Sequence, residues 1–286
     1  MDFNRHVGND LIDALKKQDL WEKKLRDDCK KGDIFLAIRK DRISFYHKGG
    51  RLFEFDGKSF KTHVKYTLVI DAENEDAQKN YVYEDQLGKI PLIRNFVDGY
   101  DGVKKNCELY SGIEARGVSH LYQDSPCSRQ GSIFALDIEV VLGDDKSQQD
   151  RIDILLYNND DQTLRFVEAK HFSNKELWST AKPPVVGQIK RYEEQIKVHE
   201  KDILDEYARY IDNLNQIFVT PLKHPAHVDP KVSLLIFGFD DDQKRGDRFN
   251  DLILDNSEYN GIPIYSKGGF SGLSADTIWK KAKIKT

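Results

Sequence analysis

Five side chains stand out by type and spacing: Asp153, Glu168 and Lys170 in RIDILLYN…LRFVEAK, then Gln188 and Tyr192 in GQIKRY. Residues 151–170 read as two β-rich apolar runs around a polar turn of Asn159, Asp160, Asp161 and Gln162, which predicts a hairpin. Side chains alternate between the faces of a strand, so Asp153, Leu155 and Tyr157 share one face of the first strand, and Phe166, Glu168 and Lys170 share one face of the second. In that register two acids and an amine converge at one end of an otherwise apolar hairpin. Burying such groups is costly unless they pair or hold a metal. The chemistry this set suits is phosphodiester cleavage. Paired carboxylates bind hard cations such as Mg²⁺, with Mn²⁺ as a substitute, and the carbonyl of Ala169 is a further oxygen candidate. A cation there neutralises charge on phosphoryl oxygens and acidifies a bound water. The lysine orients or deprotonates that water, and without metal it offsets the repulsion between the acids. Gln188 and Tyr192, four residues apart, lie on one face of a helix.

The elements that must hold these residues follow from periodicity. SIFALDIEVVLG (132–143) reads as a strand with Ala135, Asp137 and Glu139 on one face, and the loop 144–149 joins it to the hairpin. After an irregular stretch ending at Pro183-Pro184, apolar residues from Ile189 to Ile211 recur at three- and four-residue steps, which predicts a long amphipathic helix over 185–213. KVSLLIFGFD (231–240) reads as a fully buried central strand, residues 241–256 as helix, IPIY as a short edge strand, and IWKKAKIKT as a basic tail. The order βββ, α, β, α predicts a mixed α/β sandwich.

Upstream the pattern differs. Residues 9–30 predict a helix capped by Asn9 or Asp10. Short β-like runs at 33–39, 42–48, 51–57 and 59–70, joined at Lys40-Asp41 and Gly49-Gly50, predict an antiparallel meander. His47 and His63 have no partner at ligand spacing and read as structural. The polar, acidic stretch 71–80 is the expected linker, which divides the chain into an accessory domain (1–80) and a second domain (81–286). Residues 81–122 read as helical in pieces, with Leu92, Ile93, Phe96, Val103, Leu109 and Tyr110 available for a core.

Composition sets bounds on function. The 286-residue chain is 39% hydrophobic and 32% charged, with net charge −4 and pI about 6.1, so binding of nucleic acid would rest on local basic patches or a metal. Cys29, Cys107 and Cys127 lie far apart, which argues against both a zinc cluster and a disulfide framework. No signal-peptide core or membrane-length apolar run is present, so a cytoplasmic protein with no membrane partner is expected.

RIDILLYN…LRFVEAK followed by GQIKRY resembles the PD-(D/E)XK nuclease superfamily, in the branch with a downstream QxxxY motif found in bacterial recombination exonucleases. The resemblance covers residues 100–245 and leaves the first eighty unexplained. It implies a restriction-endonuclease-like αβββαβ core around a mixed sheet, to which this chain adds an N-terminal helix and β-meander. It implies Mg²⁺-dependent hydrolysis of nucleic acid, DNA ahead of RNA, in a restriction or phage-defence setting. Asp153 matches the metal-binding aspartate, Glu168 and Lys170 the E-x-K, and Gln188 and Tyr192 the Q and Y near the substrate backbone. The motif's proline is replaced by Ile152. A further glutamate is expected in this branch, with Glu114 the first candidate as a third metal ligand and Glu139 the alternative. Lys190 and Arg191, with Lys182, Lys197, Lys201 and the lysines of the tail, are candidate phosphate contacts. Trp178 and Tyr192 suit base stacking or core packing, and His171 points to the opposite face from Lys170. The N-terminal domain is expected to recognise substrate or a protein partner. Two rival readings are a catalytically silent nuclease-fold module that binds nucleic acid or protein, and charges that only pair with one another.

Overall fold

The computed structural model describes residues 4–67, 81–84, 95–124, 131–142 and 151–285. The expected linker 71–80, the loop 144–149, Leu92, Ile93 and Cys127 lie outside them. The chain forms two compact units: Asn4–Arg129 with Arg209–Pro221, and Gln130–Ala208 with Leu222–Thr286. The N-terminal unit thus extends well past the expected division at residue 80.

In that unit α1 (Asn9–Lys16) ends at Lys17, and the rest of the expected helix continues as a π-helical turn (Trp21–Leu25) and α2 (Arg26–Lys30). Strands β1 (Phe35–Arg39), β2 (Arg42–His47), β3 (Gly50–Phe55) and β4 (Phe60–His63) form the antiparallel meander. Its turns need left-handed backbone, at Asp41 (φ 56°) and Gly49 (φ 86°). Gly49 is obligatory, because a Cβ there would lie 2.4 Å from the Ala115 carbonyl carbon. A fifth strand, β5 (Tyr81–Tyr83), pairs with β4, so residues assigned by sequence to the second domain complete the first sheet. Next come α3 (Phe96–Leu109), capped by the Asn95 side chain, and α4 (Ile113–Ser119). Phe96 and Val103 are buried as expected, whereas Leu109 and Tyr110 are exposed at the end of α3. Phe45, Phe53, Phe55 and Phe60 fill the core with Trp21, against which the half-buried Phe218 packs. Asn213 fastens the chain start by bonding both the N–H and the carbonyl of Val7 (2.9 and 3.1 Å).

The second unit is a mixed sheet flanked by helices. Antiparallel β6 (Ile133–Val140), β7 (Ile152–Asn158) and β8 (Thr163–His171) are followed by α5 (Pro184–Phe218), whose backbone is non-helical at His199 and whose residues from Arg209 belong to the first unit. A short β9 (His227–Val228) pairs with β8. The fully buried β10 (Ser233–Phe237) lies parallel to β8 on one side and to β11 (Pro263–Lys267) on the other, the central position its apolar run predicts. Residues 241–256 break into α6 (Asp241–Arg245), α7 (Asp247–Phe249) and a π-helical turn (Asn250–Leu254), the first carrying a capping box from Asp240 and Gln243. The basic tail is ordered as α8 (Ala275–Lys281) and β12 (Lys283–Ile284). Because β12 pairs with β11, β11 is not the edge strand its sequence suggests. Cys29 and Cys107 are buried free thiols. Among the described residues, no helix is long and apolar enough to cross a membrane.

Candidate functional site

The hairpin places its ionisable groups as alternation requires. Leu155 stands opposite Phe166 and Ile154 opposite Val167. Asp153, one residue beyond, therefore shares a face with Glu168. The Asp153 carboxylate accepts a hydrogen bond from the Ala169 N–H at 2.7 Å, which ties the first acid to the strand that carries the second. Glu168 is 1% exposed and Lys170 8% exposed, and Lys170 Nζ lies 2.9 Å from Glu168 Oε1.

The other oxygen of Glu168 is what sets the pair apart. Glu168 Oε2 is buried and has no hydrogen-bond partner. Leaving such an atom unmatched costs stability, and more so for a charged group. Burial, then the negative charge of Asp153, holds the Glu168 carboxyl well above the usual carboxylate range, with Lys170 only partly opposing them. Lys170 is pulled the other way. Burial favours its neutral form, but Glu168, Glu176 and Asp153 together outweigh that and keep it an ammonium. Lys170 thus lies among three carboxylates.

A buried acceptor with an unused lone pair, beside a second carboxylate, fits a hard divalent cation. Among the described residues, no group of three or more His, Cys, Asp or Glu side chains forms a metal cage. A cation on Asp153 and Glu168 would therefore draw further ligands from backbone oxygen or water, as Mg²⁺ does and structural Zn²⁺ does not.

On α5 the Gln188 amide donates to the Tyr192 hydroxyl at 2.7 Å. Tyr192 is buried, so it positions Gln188 and offers no ring face for base stacking. Gln188 lines a cleft of about 500 Å³ with Glu176, Lys182, Lys190, Arg191 and Glu258. Trp178 is occupied: Arg248 stacks on it at 4.3 Å and its indole N–H donates to the Phe172 carbonyl. The ring of His171 packs edge-on against Phe237 and its Nδ1 meets Ser173 Oγ at 2.7 Å, a packing role. In the tail, Lys280 pairs with Asp276, and Lys285 bonds the Asn256 carbonyl and Asn260, so both have partners within the fold.

The two candidates for a third acid lie on different units, and the pairs Ile138–Ile154 and Val140–Ile152 bracket Glu139 opposite Asp153. Glu114 is in the first turn of α4, a helix of the N-terminal unit. Glu139 adopts a left-handed backbone (φ 49°), its side chain is exposed, and Arg151 stands 3.9 Å away. A bulge between Ala135 and Asp137 shifts the register by one, so these two residues face opposite sides of the sheet rather than sharing one. It sets Asp137 opposite Leu155, on the face of Asp153. Asp137 is fully buried and accepts hydrogen bonds from the Tyr207 hydroxyl (2.9 Å) and the Ile138 N–H (2.8 Å). Sequence reading also passed over Glu176, in a 3-10 turn (Lys175–Leu177) within the stretch read as irregular. Its Oε2 lies 2.7 Å from Lys170 Nζ. The one available signal was Asn174, whose side chain accepts from the Glu176 N–H and starts that turn.

No family model matches this sequence, and neither the curated proteins nor the solved structures contain a significant match.

Proposed function

We propose that the second unit is a metal-dependent nuclease that hydrolyses phosphodiester bonds in DNA, with Mg²⁺ as the natural cation. The observation that carries this reading is the orphaned, buried Glu168 Oε2 beside the half-buried Asp153. Asp153 and Glu168 would hold the cation, which when bound supplies charge neutralisation at the phosphoryl oxygens and a more acidic water. Asp153 is fixed for this by the Ala169 N–H, so the two carboxylates stay in register. Lys170, kept as an ammonium, donates rather than accepts. It orients the attacking water and offsets charge developing on the phosphorus-bound oxygens. Gln188, steadied by Tyr192, presents its amide at the cleft. Lys182, Lys190 and Arg191 on the cleft wall supply non-specific attraction for the backbone. The N-terminal unit serves recognition of substrate or a protein partner, and a restriction or phage-defence setting suits a nuclease with such an accessory unit.

Incubation of the purified protein with linear DNA, circular DNA and RNA, in Mg²⁺, Mn²⁺ or EDTA and beside Lys170→Ala, tests this directly. Metal-dependent cleavage of DNA that disappears in the variant is the expected result. Cutting of circles as well as linear molecules identifies an endonuclease. A folded wild-type protein that cuts none of the three in either metal contradicts the proposal.

A further inference from the structure

The contact between Glu176 and Lys170 is not explained by folding. Glu176 is half exposed, 46% by side chain, and lines the cleft, while its buried Oε2 lies 2.7 Å from Nζ of a lysine whose side chain is only 10% exposed. Lys170 already has a buried partner in Glu168 Oε1. A second carboxylate adds to an excess of negative charge and raises the Glu168 carboxyl further. Yet the turn is built to deliver it: Asn174 caps the Glu176 N–H at 2.9 Å, and the Trp178 N–H closes the turn on the Lys175 carbonyl at 3.1 Å. Three cations, Lys182, Lys190 and Arg191, line the same cleft.

We propose that Glu176 occupies the phosphate seat on Lys170, and that a nucleic-acid phosphate must displace it to reach the carboxylate pair. This rests on the nuclease reading and deepens it by naming the group that governs entry. A carboxylate and a phosphate present the same recognition surface to an ammonium, two or three anionic oxygens at hydrogen-bonding distance. The exchange swaps one anion for another on the same nitrogen and needs no new cation. Glu176 sits in a short turn, so its side chain can swing into the cleft without moving β8. The chain thereby carries an internal competitor: free phosphate and short or weakly held substrates are excluded, while a backbone also gripped by Lys182, Lys190 and Arg191 gains entry.

The test is a double-mutant cycle on the full chain in EDTA, with Glu176→Gln, Lys170→Met and the pair, each checked for folding by thermal melting. Lys170→Gln replaces Lys170→Met should the latter not fold. Inorganic phosphate is titrated calorimetrically, and a fluorescein-labelled oligonucleotide by anisotropy at fixed ionic strength. Glu176→Gln is expected to tighten both about tenfold, a gain that vanishes when Lys170 is absent. Phosphate tightening through Lys170 with no oligonucleotide binding by any variant supports the phosphate seat while rejecting the nucleic-acid reading. Unchanged binding, or a gain of equal size with and without Lys170, overturns the proposal, because the contact would then be structural or the effect merely that of net charge.

Discussion

Two clusters of buried charge in this protein are near mirror images. In the N-terminal unit Glu54, 4% exposed, is surrounded by Lys61 at 2.7 Å from Oε1, and by Arg51 at 3.2 Å and Arg42 at 3.3 Å from Oε2. One acid has three cations and both its oxygens are matched. In the second unit Lys170 is surrounded by Glu168, Glu176 and the charge of Asp153, and one oxygen of Glu168 is matched by nothing. The first cluster is closed and pins β2, β3 and β4 together. The second leaves a buried carboxylate oxygen unmatched. A protein that can satisfy Glu54 so fully and leaves Glu168 short is holding that oxygen for something other than itself.

The comparison breaks first on activity. Asp153→Asn should lower Mg²⁺-dependent cleavage by about 10³-fold or more, since it removes a ligand on which the reacting charge depends. Glu54→Gln should leave the rate per folded molecule unchanged. Gel-based cleavage rates on a labelled linear duplex decide it.

Stability should move the other way. Glu54→Gln loses a matched buried carboxylate and should cost about 2 kcal/mol, below the range for a fully buried pair because its cations are partly exposed. Glu168→Gln removes a charge that burial already opposes, so in EDTA it should cost nothing or raise the melting temperature. Urea unfolding of both variants in EDTA gives the two values side by side.

The pH dependence sharpens the same contrast. Glu168 has a folded-state pKa raised above 4.5, so the folded protein binds its proton more tightly than the unfolded chain does. Without metal, that contribution is fully present below about pH 4.5 and is lost as pH rises toward the folded value, with a slope of up to about 1.4 kcal/mol per pH unit. Asp33 behaves oppositely. Bonding to His47 and Lys104 holds its carboxyl below the usual range, so its stabilisation is present above pH 3.8 and lost as pH falls. Wild type minus Glu168→Gln, measured by urea unfolding across pH 5–8 in EDTA, should decline with pH, and saturating Mg²⁺ should abolish the decline.

The smallest effect belongs to the helix. Tyr192→Phe deletes the acceptor for the Gln188 amide, worth about 1 kcal/mol, and should slow cleavage about fivefold. Steady-state kinetics should place that loss in kcat, since Tyr192 is too buried to bind substrate itself.

The hairpin was legible because strand alternation is local: the period of two, with a polar turn between apolar runs, suffices to set Asp153, Glu168 and Lys170 on one face. The long helix and the buried central strand were legible from periodicity and from the unbroken apolar run 234–237. Asp137 was misread because a single bulged residue inverts a strand's facing, and no residue type in FALDIE announces it. Glu176 was missed because a short turn leaves no period to detect. Strand β5 and the ordered tail escaped because three- and two-residue strands owe their existence to the edges they pair with, β4 and β11, rather than to their own sequence. Residue type alone does not choose between Glu139 and Glu114: Glu139 stands opposite Asp153 on a left-handed backbone with an exposed side chain, and Glu114 belongs to the N-terminal unit.

The central claim is that the unmatched oxygen of Glu168, with Asp153 beside it, holds a divalent cation. Calorimetric titration of Mg²⁺ into the metal-free protein, into Glu168→Gln and into Glu54→Gln tests it without requiring a substrate. The account predicts saturable binding in wild type, the same binding in Glu54→Gln, and none in Glu168→Gln. Equal heats in wild type and Glu168→Gln, or no binding to wild type at millimolar Mg²⁺, would contradict it.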